Sequence, residues 1–173
     1  MSAKPIDLDE VRDDFLSFKS SVGCAQLGTL TVDHKPEVSY SPIVWVGDCG
    51  YLLISELASH THNLMQNPVL SLLLIEDEAS ARNLFARKRV MMDGRAQEVS
   101  RDTVLFNEII DCFIEKFGET VKVLVQLPDF HLMEINLLEG RFIRGFGQAF
   151  ELTGPGLTSV THIDAERLRS AEM

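Results

Sequence analysis

Apolar and polar positions alternate along this chain with more than one period, and each period marks a different kind of element. Between residues 7 and 20, Leu8, Val11, Phe15 and Phe18 stand near helical spacing, with Ile6 just ahead of them. Acidic residues fill the opening turn, where the helix dipole favours them. The pattern predicts an amphipathic helix ending near Ser20. Residues 24–32 and 37–46 are rich in β-formers around a turn-like Asp33-His34-Lys35-Pro36, which predicts a hairpin. Pro42 inside the second run implies a bulge or an edge position, because proline cannot donate to a central ladder.

A turn at Gly47-Asp48-Cys49-Gly50 leads to a short strand at 51–55 and a polar, helix-like segment at 57–66, closed by Asn67-Pro68. Residues 69–75 (VLSLLLI) read as a buried strand. An acidic break at 76–79 and a helical turn at 81–86 follow, then a strand at 87–98 bent at Gly94. In 102–117, Val104, Leu105, Ile109, Ile110 and Phe113 recur with a helical period, and Gly118 stands at the C-cap. The apolar run 121–127 fits either a strand or a short helix. Residues 130–138 and 141–149 flank Glu139-Gly140 and are expected to form a closing hairpin about that pair. After Leu152 the chain turns to Thr-Gly-Pro-Gly and polar residues, which predicts a mobile tail over 153–173, with a short helix as an option at 165–171.

Six or seven strands with two principal helices and mostly short connections point to an α+β fold, an antiparallel barrel with helices outside. With 173 residues, 45% of them hydrophobic, the chain is sized for one domain and one core. The expected organisation is a helix at 1–21, a barrel domain at 22–152 and the tail. A net charge of −10 argues against a broad electrostatic hold on nucleic acid or an anionic membrane. It leaves room for a small anion gripped by clustered arginines. No segment approaches the roughly 18 consecutive apolar residues of a membrane span, and the first residues do not read as a secretory signal. Cys24, Cys49 and Cys112 are scattered without a CxxC spacing, so a cytoplasmic location with reduced thiols is expected.

Several reaction classes lack their motifs. There is no G-x-S-x-G elbow and no convincing carboxylate pair. His60 and His62 lie two apart in the helix-like segment, so they face different ways and do not form a metal pair. Gly140, Gly145 and Gly147 open a strand hairpin rather than a helix, so they lack the helix N-terminus of a dinucleotide loop.

Three blocks resemble one superfamily. They are Pro36-Glu37-Val38-Ser39-Tyr40-Ser41-Pro42, then residues 55–64 (SELASHTHNL) with Asn67-Pro68, then Phe85-Ala86-Arg87-Lys88-Arg89 with Gly94-Arg95-Ala96. Together they are similar to the pyridoxamine-phosphate-oxidase-like, FMN-binding split barrels. Leu127-Pro128-Asp129-Phe130-His131-Leu132 and the run 140–150 (GRFIRGFGQAF) resemble the haem-utilisation, HugZ/HutZ-type branch. That resemblance implies a split β-barrel, a homodimer with sites at the subunit interface, and haem opened with O2 and an electron donor to a biliverdin-like product and iron. FMN is the competing cofactor, but Thr61-His62 puts an imidazole where flavin-binding members carry a phosphate-holding cation. A non-catalytic haem carrier is a further alternative.

The candidate site residues each carry two readings. By composition alone, His162 is a solvated tail histidine; the resemblance makes it the axial ligand to haem iron, and it is the one histidine beyond the last expected strand. Asp129 is a loop acid or turn cap by its setting, and by resemblance the acceptor that orients the ligand imidazole and raises its basicity. Arg87 and Arg89 read as one face of an alternating strand. The resemblance gives them haem propionates to pair with, and Arg89 a distal catalytic role. His60 either packs or lies near the haem pocket at the interface, where its protonation would make activity pH-dependent.

Overall fold

The computed structural model describes residues 6–163. The first helix, α1 (Leu8–Ser21), begins where expected: the Asp7 side chain accepts from the amides of Asp9 at 3.0 Å and Glu10 at 3.3 Å, satisfying two donors that a helix start leaves open. Its apolar stripe of Val11, Phe15 and Phe18 is buried in the main core.

The strands β1 (Cys24–Leu30) and β2 (Pro36–Pro42) form the expected hairpin. β2 lies at the sheet edge and stops at Pro42, so the expected single strand over 37–46 is broken there and resumes as β3 (Val44–Val46). β4 (Cys49–Ser55), α2 (Ser59–Gln66), β5 (Val69–Ile75) and β6 (Arg89–Val99) follow, with a 3-10 turn at Leu84–Ala86 before β6. The register of β6 against its neighbour shifts between Asp93 and Gly94, which is the expected bend in the form of a bulge. α3 (Val104–Phe117) is capped by the Thr103 hydroxyl, which accepts from the Phe106 amide at 3.2 Å, and the ambiguous run resolves as a short helix, α4 (Thr120–Leu124).

Two expectations fail beyond this point. The closing hairpin does not turn at Glu139-Gly140. Residues Phe130–Gly145 form one long strand, β7, which turns at Phe146-Gly147 into β8 (Gln148–Thr153). Gly147 supplies the left-handed backbone for that turn, with φ 66°. Gly140 serves a different need: a Cβ there would stand 3.0 Å from the carbonyl oxygen of Met91, beside the β6 bulge. The glycine permits close strand packing rather than chain reversal.

Nor does the barrel end at Leu152. A turn at Pro155–Leu157 buries Leu157 completely, and β9 (Ser159–His162) pairs antiparallel with β8, Phe150 opposite His162. Burial of Leu157 and the packing of Val160 on the core hold this segment to the barrel in spite of its polar composition. The expected helix over 165–171 lies outside the described residues.

Among the described residues the nine strands make one antiparallel sheet, in the order β2-β1-β5-β6-β7-β4-β3, with β8 and β9 added beside β7. β7 is its spine. Its first half pairs with β4, its last part with β8, and its length with β6. One face encloses the core that α1 completes, with Leu27, Leu72, Val90, Phe142 and Phe150. On the other side, α3 packs Phe106, Ile109 and Phe113 over Tyr51, Val99 and Leu132. The α+β split barrel with flanking helices is the expected class.

Candidate functional site

His162 ends β9 rather than hanging from a tail. Its ring stacks on Phe150 with centroids 5.3 Å apart, and Nε2 lies 3.3 Å from the carbonyl oxygen of Gly147. The half-buried imidazole is thus seated at the rim of the barrel by a strand pairing and an aromatic contact.

Arg89 and Arg87 are not equivalent. Arg87 precedes β6, and its guanidinium is spent on the connection before it, donating to the Glu76 carbonyl and, at 3.1 Å, to the Glu78 carboxylate. The alternation argument that placed both arginines on one strand face therefore does not reach Arg87. Arg89 donates one N–H to the Arg87 carbonyl at 3.0 Å, and the rest of its fork has no partner among the described residues. In register, Val90, Phe142, Phe150 and His162 form one row across four strands, on the buried side. Arg89 is in the next row and points to the opposite face. It is also three strands away from β9, roughly 14 Å at the usual strand spacing.

Asp129 immediately precedes β7. Its Oδ2 accepts from the Ser55 hydroxyl at 2.7 Å, its carbonyl accepts from the Glu56 amide at 2.9 Å, and Oδ1 has no partner among the described residues. His162 is level with Phe142, near the other end of β7. The twelve steps from Phe130 to Phe142 span about 40 Å of strand contour at ~3.3 Å each. One chain therefore brings together no two of His162, Asp129 and Arg89.

His60 on α2 is only 6% exposed, and its Nδ1 lies 2.9 Å from the Ser39 hydroxyl of β2. Burial pushes its pKa below the ordinary histidine value, against a smaller upward pull from Glu37. Its neighbour Asn63 donates to Glu37 at 2.8 Å and to Thr29 at 3.0 Å, so α2 is stitched to the β1–β2 hairpin by polar contacts.

The sequence reading passed over a histidine with a more pronounced setting. His131 on β7 lies between two carboxylates, Nδ1 2.7 Å from Glu98 and Nε2 2.8 Å from Glu56. Burial works against the charged ring, but the hydrogen bonds to Glu98 and Glu56 outweigh it and raise the pKa above the usual value. No local motif marks this trio, because Glu56, Glu98 and His131 meet only through the pairing of β7 with β4 and β6. Ser55 and Arg101 were passed over for the same reason. Arg101 donates to the carbonyls of Val125, Leu127 and Phe130, which surround Asp129 in sequence. Three or more His, Cys, Asp or Glu side chains able to hold a free metal ion do not come together among the described residues.

The outer face of the sheet is mixed, with polar positions such as Gln26, Ser71, Asp93 and Arg89 among exposed apolar side chains. Val38 is 79% exposed and Tyr40 68%, and the row Tyr40, Gln26, Leu73, Met91 carries this surface across β2, β1, β5 and β6. The exposed apolar side chains on β2, with Met91 on β6, fit an interaction surface.

The family model for pyridoxamine 5'-phosphate oxidase matches residues 11–144, which takes in the barrel from α1 into the end of β7. This chain belongs to the pyridoxamine 5'-phosphate oxidase family. Within the family it is 40% identical over 147 residues to the haem oxygenase HutZ of Vibrio cholerae, covering 85% of this chain and 84% of that protein. A crystal structure of HutZ, described as the haem storage protein of Vibrio cholerae, superposes with a TM-score of 0.69 at 38% identity, over 72% of this chain and 88% of that one. The Campylobacter jejuni protein ChuZ superposes with a TM-score of 0.85 at 30% identity, over 94% of this chain and 65% of that one.

Proposed function

We propose that this protein binds haem between two copies of the chain and opens its ring to release iron. The observation that carries the reading is the 40% identity to the haem oxygenase HutZ across most of both chains. Bound haem supplies the oxygen chemistry, its own ring being opened with O2 and electrons from a donor to a biliverdin-like product. The protein's part is to seat and polarise it. His162 offers an imidazole fixed on a strand, and Asp129 keeps Oδ1 free to accept the N–H of such an imidazole, which would raise its basicity. Arg89 keeps guanidinium donors for a propionate or for a charge-assisted bond on the distal side, whereas Arg87 is already engaged.

The donor set fits haem, and its geometry favours a dimer. Asp129 and His162 stand at opposite ends of β7, so a site using both takes Asp129 from one protomer and His162 from its partner. The outer face of β2, β1, β5 and β6, where Val38, Tyr40 and Met91 are exposed, is a surface for that second copy. His60 is buried behind this face with its Nδ1 against the Ser39 hydroxyl, so it does not contact a site there directly. The three free cysteines suit a reducing, cytoplasmic setting.

Haemin added to the purified protein should give a sharp Soret band, which a reductant in air should bleach with release of iron. His162→Ala should lose the wild-type spectrum and turnover; an unchanged spectrum would remove His162 as ligand. A storage role, which the description of the HutZ crystal structure favours for that protein, predicts a Soret band that survives reductant and air. Flavin use, which the family match leaves as the alternative, predicts a yellow protein as purified.

A further inference from the structure

We propose that Ser55 and Arg101 are positioning residues that hold Asp129 in the orientation its role requires. The inference rests on the reading of Asp129 as the acceptor for the ligand histidine. The segment carrying Asp129, between α4 and β7, has little regular structure of its own. Left to itself, such a connection would let a carboxylate adopt several rotamers. Two groups from distant parts of the chain remove that freedom.

Ser55, the last residue of β4, acts on the side chain. Its Oγ accepts from the Leu57 amide at 3.1 Å and lies 2.7 Å from Asp129 Oδ2. A hydroxyl has one proton, and the amide already occupies one of its lone pairs, so that proton is directed at Asp129. Oδ2 is thereby engaged, and Oδ1 is the oxygen without a partner among the described residues. The Glu56 amide, donating to the Asp129 carbonyl, ties the backbone to the same turn.

Arg101 acts on the backbone. From the turn between β6 and α3, its Nη1 donates to the Val125 carbonyl and its Nη2 to those of Leu127, at 2.8 Å, and Phe130. Its guanidinium carbon lies 5.6 Å from the Phe106 ring, which limits its motion from α3. A planar fork bridging three carbonyls fixes the path of the chain between them, and the point charge of a lysine cannot reproduce that geometry. Asp129 is thus clasped between the end of β4 and the start of α3.

The test reads the acceptor bond directly. In the full-length protein loaded with haemin and reduced, the iron–histidine stretching frequency in resonance Raman reports how strongly the proximal imidazole is hydrogen-bonded. Asp129→Asn should lower it. Ser55→Ala and Arg101→Ala should lower it part of the way, Ser55→Thr should restore it, Arg101→Lys should not, and neither alanine should lower it further when combined with Asp129→Asn. Without haem, the same two alanine variants should speed amide exchange at Glu56 and Phe130 by roughly tenfold, the loss of about one hydrogen bond, while β5 amides stay unchanged. If exchange accelerates but the frequency does not move in variants where Asp129→Asn does move it, Arg101 and Ser55 only brace the loop and the proposal fails. Unaltered exchange overturns it as well. If Asp129→Asn itself leaves the frequency alone, the reading of Asp129 falls first and takes this inference with it.

Discussion

At the scale of single residues, the chain separates positions that look alike in sequence. Gly140 and Gly145 both belong to β7, yet a Cβ on Gly140 would meet the Met91 carbonyl, Leu157 and Met92 at 3.0 to 3.3 Å, whereas one on Gly145 meets nothing within 4 Å. Gly140→Ala should therefore destabilise the protein by about 1–3 kcal/mol through overpacking against backbone that cannot yield. Gly145→Ala should be close to neutral, and urea unfolding of the two variants side by side reads the difference. Spacing could not make this distinction, and it took Glu139-Gly140 for a turn. What separates the two glycines is the neighbouring strand at its bulge, a partner almost fifty residues away in sequence. Arg87 and Arg89 misled for a similar reason: strand alternation holds only inside a strand, and β6 starts at Arg89.

Among elements, helices were the most legible. The ends of α1 and α3 are marked by Asp7, Thr103 and Gly118, whose local chemistry fixes a helix end without help from the rest of the fold. The polar β9 gave no such signal, because its order comes from pairing with β8 and from Leu157 beneath it. The join of β4, β6 and β7 through His131 was equally hidden, and it has a consequence for stability. Since the folded state raises the pKa of His131, the bridge contributes fully below the unfolded value of about 6.5 and is lost as pH rises through the higher folded value. The stability difference between wild type and His131→Asn should accordingly be larger near pH 6 than near pH 8.5 in denaturant unfolding. Because Glu56 and Glu98 are about half exposed, it should stay under roughly 1 kcal/mol and shrink in high salt. A difference that grows with pH would reverse the sign and rule out the charged bridge.

For the whole molecule, the family and the barrel were readable from three blocks, because those blocks lie in contiguous stretches of chain. The candidate site was readable only as a set of residues, since its geometry depends on where β7 carries each end. That single strand has a consequence that can be put in genetic terms. If one protomer supplies Asp129 and the other His162, then a mixed dimer of Asp129→Asn and His162→Ala chains contains one site with both residues intact and one with neither. Two impaired variants, co-expressed and purified as the mixed dimer through different tags, should regain about half of wild-type turnover per dimer, because one of its two sites is intact. If each site were built from one chain, the mixture would remain impaired. On that reading, the length of β7 makes the function a property that two damaged copies can restore to each other.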